Sequence, residues 1–163
     1  MAKLGLDHYF IEVGGQSRIN VKIKSNNETD INGTGAAVGR TDINKLVRKL
    51  KELLKPDDWV IICGSVPSGL DETTYAALIK KLKSIDGINY VVDACGKLLT
   101  ETLKFKPFLI KPNIYEMCEI FNLTTIPDIE GIFACARKLQ NLGARNVIVS
   151  MGSAGAVMVT ETD

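Results

Sequence analysis

The stretch Trp59-Val60-Ile61-Ile62-Cys63, running directly into Gly64-Ser65-Val66-Pro67-Ser68-Gly69, decides how the chain is read. A short apolar run bounded by turn residues predicts a strand covered on both faces, the kind found in parallel sheets. Upstream, Ile43, Leu46, Val47, Leu50, Leu53 and Leu54 recur at helical spacing until Pro56 stops the pattern. Downstream, Tyr75, Leu78, Ile79, Leu82 and Ile85 repeat that spacing, with Asp71 placed to cap the helix. Tyr90-Val91-Val92 predicts a further strand, 98–103 a short helix, Phe108-Leu109-Ile110 a strand and 115–121 another short helix. Asp128 opens a helix bearing Ile129, Ile132, Phe133, Ala136 and Leu139, which Gly143 closes. Asn146-Val147-Ile148-Val149 reads as a strand, and 156–160 as one more. Such alternation implies an α/β fold: a mostly parallel sheet, right-handed crossovers and helices on both faces.

The first forty residues follow a different period. Ile19, Val21 and Ile23 alternate with Asn20, Lys22 and Lys24, which predicts a strand with one buried face. Residues 25–28 read as a turn and 29–31 as a short return strand.

Composition excludes several classes of function. The 163 residues are enough for one domain with a single core. Twenty Lys+Arg against nineteen Asp+Glu leave a net charge of +1, so no electrostatic case exists for nucleic acid or a membrane surface as partner. The longest strongly apolar stretch is far shorter than a membrane span, and no apolar signal segment follows Met1, so a cytoplasmic location is expected. The single histidine argues against a multi-histidine metal centre or a His-based triad. Cys63, Cys95, Cys118 and Cys135 form no C-x-x-C pair and read as reduced, mostly buried thiols. The lysines of 45–51 and 80–83 read as solvated helix surface.

Open α/β sheets bind ligands beyond the carboxyl ends of their strands. Here four successive strands end in small, charged or amide-bearing residues. These are the 64–69 loop with Ser65, Asp93 ahead of Ala94-Cys95-Gly96, Lys111-Pro112-Asn113 with Glu116 one turn later, and Ser150-Met151-Gly152-Ser153-Ala154-Gly155. A polar cleft follows. Either a tight turn or a phosphate-approaching backbone accounts for the glycines of 64–69 and 150–155. The Gly-Lys-Ser/Thr of a P-loop is missing, and Gly33-Thr34-Gly35 with Gly39 does not make a dinucleotide fingerprint. Lys111 ending a buried strand asks for a nearby anion. Asn113 is a cap or a ligand residue. Glu116 favours the helix start or holds Mg²⁺. Asp93 is a turn residue or a second metal-side carboxylate, and Arg18 a solvated cation or a bidentate phosphate clamp.

Five segments together carry a resemblance to the ribokinase-like (PfkB-type) carbohydrate kinases: Ser17-Arg18-Ile19-Asn20-Val21-Lys22-Ile23, Thr29-Asp30-Ile31-Asn32-Gly33, Gly64 to Gly69, Lys111-Pro112-Asn113-Ile114-Tyr115-Glu116 and Ser150 to Ala156. Asp93-Ala94-Cys95-Gly96 is similar to the family's Asp-x-x-Gly. The resemblance implies a three-layer fold, with residues 1–36 as part of a small β lid that pairs two copies, and 37–163 as the nucleotide- and sugar-phosphate-binding core. It implies transfer of the ATP γ-phosphoryl group to a phosphosugar, and its closest branch acts on fructose 1-phosphate; tagatose 6-phosphate is the alternative substrate. Arg18, Asn20 and Ser65 then match the substrate-phosphate site; Lys111, Asn113, Ser150, Gly152 and Gly155 the nucleotide site; Glu116 and Asp93 the Mg²⁺ environment. The family's catalytic aspartate sits in a Gly-Ala-Gly-Asp loop that these 163 residues do not contain, and the opening strand with its sugar-contacting Asp is not matched either. The chain therefore reads as an internal portion of a kinase that retains parts of both binding sites, or alternatively as a non-catalytic module sensing the same ligands.

Overall fold

The computed structural model of the protein describes residues 5–24 and 28–162. The expected turn at 25–28 lies outside them, apart from the backbone of Glu28. Two sheets form. The smaller pairs β1 (Asn20–Lys24) with β2 (Glu28–Asn32) in antiparallel register, Val21 opposite Ile31 and Lys22 opposite Asp30. The larger has the order β3 (Trp59–Cys63), β4 (Asn89–Asp93), β5 (Leu109–Ile110), β6 (Asn146–Ser150) and β7 (Ala156–Val159). Its first four strands are parallel and β7 runs antiparallel to β6. The helices are α1 (Arg40–Leu53), α2 (Thr74–Leu82), α3 (Gly96–Thr100), α4 (Ile114–Ile120) and α5 (Ile129–Asn141).

Strand order in the large sheet follows chain order, so every crossover steps the same way. Right-handed connections that step one way deliver their helices to one face. Val60, Ile62, Tyr90, Val92, Ile110, Val147, Val149, Val157 and Val159 share that face by register, and all are buried. Ile79, Leu82, Leu99, Met117 and Leu139 from the helices complete the core. On the opposite face Trp59 and Met158 are exposed, and Ile61 is 68% exposed. Two expectations are thereby corrected. Helices cover one face, not both, among the described residues, and the run 59–63 is buried on alternate residues only. Nothing in a purely apolar strand says which of its faces a helix will find.

The ribbon of β1 and β2 departs from expectation in the same sense. Its alternation is present, with Lys22 and Asp30 paired at 3.4 Å on the polar face. The apolar face, Ile19, Val21, Ile23 and Ile31, is not buried; Ile19 is 72% exposed. Smaller corrections concern single residues. Asp71 does not cap α2 directly: Thr73 holds that position, and Asp71 Oδ1 accepts from the Thr73 N–H and hydroxyl at 2.8 and 2.6 Å. Ile129 and Phe133 are exposed, their places in the α5 core face taken by Cys135. Cys63 and Cys95 are exposed, whereas Cys118 and Cys135 are buried. Asp128 caps α5 through the Gly131 N–H at 2.9 Å, as expected.

One buried side-chain polar atom has no hydrogen-bond partner among the described residues, the Tyr90 hydroxyl on β4. Burial pushes its phenol pKa up, so the group stays a neutral, desolvated donor. Tyr90→Phe removes that cost and should stabilise the fold by about 1 kcal/mol, raising Tm by roughly 2–4 °C in a thermal melt. A lowered Tm would show that the hydroxyl has a partner.

Candidate active site

All the strand tips expected to form a cleft lie along the carboxyl edge of the large sheet, because β3 to β6 are parallel. Three groups of direct contacts form there. In the first, Arg18 lies just ahead of β1 and Ser65 in the loop after β3. Arg18 Nη1 donates to Ser65 Oγ at 2.7 Å, and Arg18 Nε donates to Asn20 Oδ1 at 2.9 Å. This bond joins ribbon to core across 47 positions of sequence. The chain between them is stitched down as well: the Val38 N–H donates to the Ser68 carbonyl at 3.0 Å. Gly69 must be glycine here, since its φ is +91° and a Cβ would lie 2.8 Å from the Val38 carbonyl oxygen. Beside Arg18 and Ser65 opens a cavity of about 300 Å³, lined also by Gly15, Ser17, Gly35 and Val66.

The loop is held from below by Tyr75 of α2, whose hydroxyl lies 3.1 Å from the Cys63 carbonyl and 2.9 Å from that of Gly64. Burial pushes the Tyr75 phenol up, which keeps the proton that these bonds need. Sequence reasoning placed Tyr75 in the core face of its helix and missed this role. The available signal was the hydroxyl itself, since a buried tyrosine usually finds an acceptor.

The second group is Asp93 and Lys111 at the tips of β4 and β5, with Nζ and Oδ1 3.2 Å apart. The anion that Lys111 was expected to need is this carboxylate. Asp93 is accordingly the last residue of its strand and not a turn residue. Both side chains remain about two-fifths exposed, so the pair stays open to a ligand.

The third group centres on Asn113, which caps α4 by accepting from the Tyr115 and Glu116 N–H groups at 2.9 and 3.0 Å. Glu116 Oε2 returns the contact by accepting from the Asn113 N–H at 2.8 Å, a complete capping box. Asn113 also bridges Ser150 in parallel fashion, which sets the 150–155 loop beside the helix start. Gly152 and Gly155 have φ of +60° and +92°, and the Met151 N–H donates to the Gly155 carbonyl at 2.8 Å. A Cβ on either glycine would meet nothing within 4 Å, so this backbone borders open space. Among the described residues no three His, Cys, Asp or Glu side chains gather as a metal centre. Glu116 keeps one carboxylate oxygen outside the capping box, whereas Asp93 is already neutralised by Lys111.

A cationic clamp over a small cavity, a lysine at a neighbouring strand tip and an open glycine loop make an edge suited to phosphorylated ligands. The whole span 1–163 matches the pfkB family of carbohydrate kinases. The chain belongs to that family. Among pfkB relatives, it is 37% identical over 155 residues to the 1-phosphofructokinase of Bacillus subtilis, covering 95% of this chain and 50% of that protein. It is 30% identical over 148 residues to the D-tagatose-1-phosphate kinase of Bacillus licheniformis, covering 91% and 48%. The structure of phosphofructokinase-2 from Escherichia coli in complex with fructose-6-phosphate superposes with a TM-score of 0.76 at 26% identity, over 90% of this chain and 48% of that one. The ribokinase-like fold of the pfkB kinases is thus shared, and the chain spans about half the length of the curated relatives it matches. No helix among the described residues is long and apolar enough to cross a membrane.

Proposed function

We propose that the protein serves the ATP-dependent phosphorylation of fructose 1-phosphate to fructose 1,6-bisphosphate, a transfer to an alcohol acceptor. Phosphoryl transfer asks a protein mainly for positioning and charge neutralisation. Arg18 and Ser65, with Asn20 orienting the guanidinium, are assigned to the phosphate that the sugar already carries. Lys111, Asn113, Ser150 and the backbone of Gly152 and Gly155 are assigned to the phosphates of ATP. Mg²⁺ bound with the nucleotide would add positive charge against the phosphate oxygens; Glu116 suits it through its free oxygen, and Asp93 is the weaker candidate beside Lys111. The observation that carries this reading is the Arg18–Ser65 bond, which aims a guanidinium and a hydroxyl at one cavity on the carboxyl edge.

Calorimetry on the 163-residue chain tests it. Fructose 1-phosphate should bind more tightly than fructose 6-phosphate or D-tagatose 1-phosphate, and Mg·ATP should bind independently; a chain that binds no phosphosugar overturns the assignment. Because no Gly-Ala-Gly-Asp is present among these residues, a coupled assay on the same chain should show no turnover above background. Full turnover there would move the catalytic base to a residue of this chain.

The exposed apolar face of the β1–β2 ribbon supports its role as a lid that pairs two copies. Val21→Lys combined with Ile31→Lys should convert a dimer to a monomer in size-exclusion chromatography with light scattering. An unchanged mass would place the contact elsewhere. A cytoplasmic location suits ATP chemistry and four thiols without disulfides.

A further inference from the structure

Two cavities meet over α2, the first of them reaching back to Gly69 at the end of the 64–69 loop. One, of about 370 Å³, is bordered by Arg40 and Asn44 of α1, Leu70, and Thr73, Ala77 and Lys81. The other, of about 380 Å³, is bordered by Thr73, Ala76, Ala77, Lys80, Lys104 and Phe105. They share Thr73 and Ala77, so together they form one trough that crosses the helix where no side chain is larger than threonine. Arg40 and Lys81 stand over the first half, Lys80 and Lys104 over the second. Lys83 Nζ lies 5.0 Å from the centre of the Phe105 ring and Lys104 Nζ 5.8 Å.

Two carboxylates face these five cations. Asp71 is occupied by Thr73, and Glu101 by Lys104 at 2.6 Å. The local excess of three positive charges stands out on a chain whose net charge is +1. Lys81 donates to Asn44 at 2.6 Å, and Arg40 acts electrostatically on the Asp71 carboxylate. Sequence alone read 80–83 as ordinary solvated surface. What the fold adds is convergence, since Lys104 and Phe105 arrive from beyond β4 and Arg40 from α1.

We propose that this trough is a docking surface for a segment of another protein that carries acidic residues interspersed with apolar ones. Charge complementarity selects the acidic part. The floor selects the rest. Ile43, Leu70, Ala76, Ala77 and Phe105 line the two cavities alongside the cations and supply that floor. A phosphate chain or a nucleic-acid backbone satisfies the cations and leaves that floor wet; a mixed acidic and apolar segment covers both. The surface is independent of the phosphosugar and nucleotide assignments, and it succeeds or fails without them.

Fluorescence anisotropy with a labelled synthetic peptide of glutamates interrupted by leucines tests it. The peptide should bind the chain, and its affinity should fall steeply with added salt. Lys80→Glu combined with Lys104→Glu should weaken binding by about tenfold or more, and Arg40→Glu on the other half by a smaller factor. These side chains are solvent-facing, so far-UV circular dichroism and Tm should match the parent. An all-glutamate peptide or inorganic polyphosphate binding as tightly as the mixed peptide would overturn the proposal. So would binding unaffected by charge reversal, or no binding at low salt.

Discussion

Arg18→Ala is expected to weaken the binding of fructose 1-phosphate by about 10- to 100-fold, with Tm almost unchanged. The size follows from the chemistry: hydrogen bonds from a guanidinium to a phosphate oxygen contribute about 1.5–3 kcal/mol between them, and every 1.4 kcal/mol is a factor of about ten. The small effect on folding follows from position. Arg18 is exposed, and its bonds to Ser65 and Asn20 are surface contacts that water replaces at little cost. Arg18→Lys should recover only part of the affinity, because an ammonium lacks the planar fork that engages two acceptors at once. Calorimetry with a parallel thermal melt separates the two effects. Unchanged affinity would remove Arg18 from the phosphate site, and a large drop in Tm would make it a structural tie.

The largest loss of stability is expected at Gly143. This residue follows α5 with a φ of +133°, and its N–H donates to the Gln140 carbonyl at 2.8 Å. A Cβ there would run into the carbonyl of Leu103, which is backbone and has no flexible end to move aside. Gly143→Ala therefore combines a conformational cost of about 1–3 kcal/mol with a steric one of similar size. At roughly 2–4 °C per kcal/mol, Tm should fall by about 10 °C. Gly155→Ala supplies the control. Its φ of +92° is also in glycine territory, but open space surrounds it, so it should cost no more than the conformational part. Equal losses at the two positions would mean that the Leu103 contact is unimportant.

Much of this architecture was legible beforehand, and the illegible part has a common cause. Each strand and helix of the core announced itself through local periodicity, and Asp128 and Asn113 announced their helices by capping chemistry. The residues of the strand tips could be named because parallel strands must end at one edge. What local patterning does not carry is the identity of neighbours in space. An apolar run such as 59–63 reads alike whether one or two layers cover it. Lys111 signalled a need for negative charge, but only the register of β4 beside β5 shows that Asp93 supplies it. The Tyr75 hydroxyl, the Val38–Ser68 tether and the meeting of Lys80 with Lys104 likewise depend on elements that are distant in sequence.

A sheet whose strands sit in the order they are made has a consequence for how the polypeptide assembles. Each strand from β4 to β7 docks onto the one completed immediately before it, so no strand has to wait for a later one before its native pairing begins. Such sequential topology keeps contact order low for a parallel sheet and suits vectorial growth on the ribosome, with every emerging strand finding its template already in place.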